Sequence, residues 1–156
     1  MTLRPANYKY LRSEGTSLKE IGPVYADIEL LNSDHIALNR RGYLLEMNIR
    51  RIRVKAFVNS GAFELFINPK IKEQLDLTVI QRRTVNLPDE SIEEVEMVGP
   101  IEIRFQHQSA TVTAMVWPHA EEVLLGRFPL AALHAFIDLE QKQLVVMPFI
   151  PIKKIA

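Results

Sequence analysis

The chain has 156 residues, enough for one domain around one core, and it is 47% hydrophobic and 24% charged, as ordinary globular proteins are. Basic and acidic residues balance at 19 each, so no global field draws in nucleic acid or an anionic membrane. The lack of cysteine excludes disulfides, thiolate zinc sites and cysteine nucleophiles, and no apolar run approaches the ~18 residues that span a bilayer.

Met1 to Pro23 is polar and broken by Pro5 and Gly15. It has no apolar centre of a secretory signal and reads as an arm or partly disordered extension, docked at a partner subunit, with a cytoplasmic location expected. Val24 to Leu31 reads as a strand. Asn32, Ser33 and Asp34 offer N-caps for a short helix over Ile36 to Arg41, and Gly42 stands where a C-terminal cap belongs. These pieces make residues 1–48 an N-terminal arm with a strand and a helix.

A main domain is expected over residues 49–148. Ile52, Val54, Ala56 and Val58 alternate with Arg51, Arg53, Lys55 and Phe57, the pattern of a half-buried strand with a basic outer face. Asn59-Ser60-Gly61-Ala62 interrupts it, Phe63 to Ile67 resumes the apolar run, and Asn68-Pro69 starts a helix that runs to about Leu75. Thr78 to Asn86 and Ile92 to Val98 form a hairpin that turns at Leu87-Pro88-Asp89-Glu90-Ser91. Gly99-Pro100 punctuates, and Ile101 to Phe105 pairs with Ala110 to Trp117 in a second hairpin. Val123-Leu124-Leu125-Gly126 reads as a short buried strand, Pro129 opens a helix over Leu130 to Leu133, and Phe136 to Asp138 and Gln143 to Val146 are closing strands. Residues 149–156 form a tail. Many short strands with few short helices predict a mostly-β, closed or sandwich-like architecture.

Few side chains suggest chemistry on their own. His35, His107, His119 and His134 are scattered without metal-ligand spacing, so no metal and no cofactor are expected. Ser60 has no histidine in a partner context and reads as a hydroxyl that ties down a loop. The acidic hairpin residues Asp89, Glu90, Glu93, Glu94 and Glu96 read as a solvated strand pair. Arg50, Arg51, Arg53 and Lys55 read as charges guarding a strand edge. Trp117 reads as core or subunit-interface packing, Asp138 as a turn cap, and Asp27 as the remaining candidate for a substitute acid.

Two segments taken together carry a resemblance. Lys55-Ala56-Phe57-Val58-Asn59-Ser60-Gly61-Ala62 followed by a strand and a helix, then Val123-Leu124-Leu125-Gly126-Arg127 followed by a short helix, resemble the retropepsin-like (clan AA) aspartic proteases and their bacterial members. The match runs from about Ile49 to Pro148. It implies a closed acid-protease barrel with one half-site per subunit, a homodimer, and a peptide or protein substrate, with no nucleic acid and no membrane as partner. Asn59 stands where that family has its catalytic aspartate. Ser60 and Gly61 match the residues that lock two loops at the dimer axis. Ala62, Leu125, Gly126 and Arg127 match the surrounding scaffold, and Leu87 to Ser91 match the flap. An Arg127–Glu64 ion pair would correspond to a scaffold pair of the family.

In the family two carboxylates share one proton and split the work of general base and general acid. An amide at position 59 has no titratable proton and cannot act as the base. The resemblance therefore implies an aspartic endopeptidase present in a catalytically inactive form, engineered or natural. The alternative is a non-enzymatic dimeric pseudoprotease that binds extended peptides by strand addition. A dimerisation module with no cleft in use is the third reading.

Overall fold

The computed structural model describes residues 23–147. The arm before Ile49 and the tail 149–156 are expected to add dimer contacts; of these, residues 1–22 and the whole tail lie outside the described residues. Strand β1 (Val24–Asn32) leads into helix α1 (Ser33–Arg40) and a 3-10 turn (Glu46–Asn48). Strands β2 (Arg51–Val58) and β3 (Leu65–Ile67) precede helix α2 (Pro69–Gln74). Then come β4 (Thr78–Asn86), β5 (Ile92–Phe105), β6 (Gln108–Val116) and β7 (Leu124–Leu125), helix α3 (Arg127–Ala132), and β8 (Ala135–Asp138) with β9 (Gln143–Val146).

The caps sit where the sequence pattern put them. The Asn32 side-chain oxygen accepts from the His35 N–H at 3.1 Å, while its amide donates to the carbonyls of Leu75 and Asp76 at 2.9 and 3.0 Å. One buried residue thus ends β1, starts α1 and anchors the end of α2. The Asn68 side chain accepts from the Ile71 N–H at 2.9 Å, and Pro69 fills the first turn of α2.

Seven strands form one sheet in the order β1-β2-β7-β3-β6-β5-β4. The strand period sorts the central strands into two apolar layers. Val58, Leu125, Leu65, Ala114 and Val98 stand in register across β2, β7, β3, β6 and β5 and belong to the larger core. Phe57, Leu124, Phe66, Met115 and Met97 stand in register one residue away and point to the other face. Trp117, Val95 and Ala62 join this second cluster, and Tyr25, Val85 and Leu87 pack against it.

The expected closed barrel does not form. Strand β5 has 14 residues, and its two halves serve different neighbours. Residues Ile92 to Gly99 pair with β4, whereas Ile101 to Arg104 pair with β1 over only four positions. The β4 arm is left as a sheet edge, and β8 and β9 form a separate two-stranded sheet rather than closing the first. Gly99-Pro100 also fails to divide β5 into two strands. Gly99 takes φ +150°, a conformation open to glycine, and a register shift between Val98 and Ile101 absorbs the irregularity while β6 stays paired on both sides of it.

Candidate functional site

Strand β2 carries the chain into the Asn59 loop. The Asn59 N–H donates to the Leu125 carbonyl at 3.0 Å, and its carbonyl accepts from the Ala62 N–H at 3.1 Å. The side-chain oxygen accepts from the Gly61 N–H at 3.0 Å. Turning the amide over would set its NH2 against that N–H, so the hydrogen bond fixes its orientation. What remains is Nδ2, which is buried without a hydrogen-bond partner in a residue of 0% exposure. An unsatisfied buried donor costs about 1–3 kcal/mol.

Gly126 brings the second segment against the first. A Cβ there would press into the Glu64 carbonyl oxygen and lie 2.9 Å from the Ala62 carbonyl oxygen. The close approach is held by the N–H groups of Gly126, Arg127 and Phe128, which donate to the carbonyls of Glu64, Ala62 and Phe63 at 3.1, 2.8 and 2.9 Å. Asn59, Ala62, Leu125, Gly126 and Arg127 are therefore one backbone-bonded unit.

Arg127 is exposed and does not pair with Glu64. Its Nε donates to the Ser60 carbonyl at 3.1 Å, and its guanidinium lies 4.9 Å from the centre of the Phe63 ring. Glu64 instead meets Arg83 of β4 at 3.5 Å. With Phe63 next to Ala62, the cation stacks on an aromatic face rather than on a carboxylate.

The Leu87–Ser91 tip is a closed turn. Leu87 and Ser91 are joined by a backbone bond of 2.8 Å, and the Glu90 N–H donates to the Leu87 carbonyl at 2.9 Å. The Asp89 carboxylate accepts from the Ser91 hydroxyl and from its N–H, and these bonds lower the Asp89 pKa below the usual carboxylate range. Pro88 lies inside the turn, and Leu87 rests on the second apolar cluster. An open groove of about 650 Å³ is lined by charged Lys72, Arg82 and Glu96 and by apolar Leu77, Val95 and Val116, and no residue of the Asn59 loop lines it.

The loop's chemistry is that of a donor. No carboxylate belongs to the Asn59-Ser60-Gly61-Ala62 turn, and the amide can give a hydrogen bond but not take a proton. Among the described residues no group of three or more His, Asp or Glu could hold a metal ion. No helix among them is long and apolar enough to cross a membrane. The sequence reading missed the exposed pair Phe63 and Phe128, whose rings are 5.6 Å apart. Phe63 opens an apolar run and Phe128 stands between an expected strand and helix start, and the turn geometry at Gly126 sets both outward.

No protein-family model matches the chain, and no curated protein matches it. Solved structures do. The retroviral protease-like domain of Ddi1 from Leishmania major superposes with a TM-score of 0.53 at 18% identity, covering 81% of this chain and 90% of that one. The protease of Simian Foamy Virus (mac) gives a TM-score of 0.45 at 14% identity over 70% of this chain and 92% of that one. Lpg0085 of Legionella pneumophila, described as of unknown function, gives 0.34 at 17% identity over 70% and 87%. The likeness is one of fold: the chain shares the fold of the retroviral protease-like domain of Ddi1.

Proposed function

We propose that this chain is a catalytically silent form of a retropepsin-like aspartic endopeptidase, which pairs as a homodimer and holds an extended peptide at two Asn59 loops. The observation that carries the reading is the state of Asn59. Its N–H is bonded to the Leu125 carbonyl, its carbonyl and side-chain oxygen are bonded within the turn, and its one unspent group is a buried N–H donor. A peptide carbonyl or a water held between two such loops would satisfy that donor, but no base would be present to activate the water. Asn59 is fully buried in the single chain, so its donor reaches a ligand only if the turn opens.

The test is a peptidase assay of this protein beside Asn59→Asp, with a broad peptide mixture, from mildly acidic to neutral pH, and with sedimentation to follow dimers. Cleavage by the aspartate variant alone supports a competent scaffold disabled at one position. Peptide binding without cleavage by either protein favours the pseudoprotease form of the reading. Two folded proteins that neither bind nor cleave peptides would sink it.

A further inference from the structure

Beside the Asn59 loop the surface carries a group that the loop itself does not need. Phe63 follows Ala62 and Phe128 follows Arg127, and the backbone bond between them sets the two rings side by side. Phe63 is 53% exposed and Phe128 is 55% exposed, in a chain that buries Phe57, Phe66 and Trp117. Two aromatic rings left in water next to each other forfeit the burial that the rest of the chain obtains. Arg127 stacks on Phe63 and spends its Nε on the Ser60 carbonyl, yet no carboxylate among the described residues lies within ion-pair reach of it. Glu64, next to Phe63, is engaged by Arg83. An unneutralised guanidinium fixed beside a bare aromatic face favours a ligand with an apolar ring and an anion close together.

We propose that Phe63, Phe128 and Arg127 form a shelf that selects extended peptides carrying an aromatic residue next to Asp or Glu. The ring would stack against Phe128 and Phe63, and the acid would accept from the free N–H edge of Arg127. This inference rests on the peptide-binding reading of the Asn59 loop, because the shelf lies directly beside Ser60. An isologous contact with a second copy, patch on patch, would set one Arg127 against another, so charge favours the acidic peptide.

The probe is the fluorescein-labelled hexapeptide Ala-Val-Phe-Asp-Val-Ala, compared by anisotropy with versions in which Phe is replaced by Ala or Asp by Lys. The full chain is expected to prefer the parent peptide by about tenfold, and Phe128→Ala is expected to reduce that preference to about threefold or less. Phe128 is more than half exposed, so the variant should melt at the same temperature as the parent protein. A preference unchanged in Phe128→Ala overturns the shelf. So does an unaltered preference accompanied by loss of dimer, which would make the patch a subunit contact. Cleavage of a peptide mixture by Asn59→Asp without any Phe-Asp preference removes the shelf and leaves the reading it rests on standing. If no peptide is bound by the parent protein or cleaved by Asn59→Asp, both fall together.

Discussion

The Asn59 loop and the β4–β5 hairpin border the same apolar cluster, Ala62 from one side and Val85 and Leu87 from the other, but different forces hold them. The loop is fixed by short backbone bonds and by the lack of any spare volume at Gly126. The hairpin is fastened by charged side chains near the surface. Lys72 meets Glu96 at 2.6 Å and Arg82 meets Glu96 at 3.4 Å. Where the two segments cross at Gly126, backbone bonds and steric contact leave little room for adjustment. Surface ion pairs are worth about 0–1 kcal/mol each and respond to salt and pH. The contrast separates a rigid part, where one atom matters, from an adjustable part, where conditions matter.

The strongest way to break this contrast is Gly126→Ala. The added methyl group meets backbone oxygen on β3's approach, which cannot swing away as a long side chain would. A loss of about 3 kcal/mol is expected in urea unfolding. A loss below about 0.5 kcal/mol would show that the two segments are not sterically locked, and the loop would then be as adjustable as the hairpin.

Asn59→Asp probes the same turn through charge. The carboxyl keeps the oxygen that accepts from Gly61, but its second oxygen takes the place of the unpartnered Nδ2 in a fully buried residue. Burial disfavours the ionised form, so the folded pKa is expected above the unfolded one. The sign follows: the variant is least disturbed at acid pH, and its deficit grows as pH rises through the raised pKa, to about 1–3 kcal/mol at neutral pH. Paired urea melts at acidic and neutral pH read this directly. A deficit independent of pH would mean that the loop opens to water around the new carboxylate.

Much of this organisation was legible in the chain. Asn32 and Asn68-Pro69 announced two helix starts, and the alternation of Ile52, Val54, Ala56 and Val58 announced β2, because capping and strand period are local rules. The separation of β8–β9 and the shared loyalties of β5 were not legible. They depend on which distant edge each half of a strand finds, and Gly99-Pro100 reads locally as a break. The Asn59 turn was found from its motif, whereas Arg127 stacking on Phe63 was not. The sequence supplied an arginine and a nearby acid, and only the register between the two segments decides that Glu64 points to Arg83.

The smallest effect tests the adjustable half. Glu96 has its pKa lowered first by its hydrogen bond from Lys72; burial opposes this, and the charges of Lys72 and Arg82 add to the lowering. Its folded carboxyl therefore ionises below its unfolded value. The extra stability is fully present above the ordinary carboxylate range and is lost as pH falls through the lowered pKa. Both side chains of the Lys72–Glu96 pair keep more than a quarter of their surface in water, at 27% and 28%, so screening limits the gain. Glu96→Gln is expected to cost no more than about 1 kcal/mol at neutral pH, to cost less in high salt, and to remove this part of the acid-side slope. Trp117, the single tryptophan, is buried in the cluster that the hairpin covers, so its fluorescence reports the change without a label. If Glu96→Gln leaves the pH and salt dependence of that signal untouched, Val85 and Leu87 hold the hairpin down instead. The two sides of the cluster would then be governed by the same packing forces.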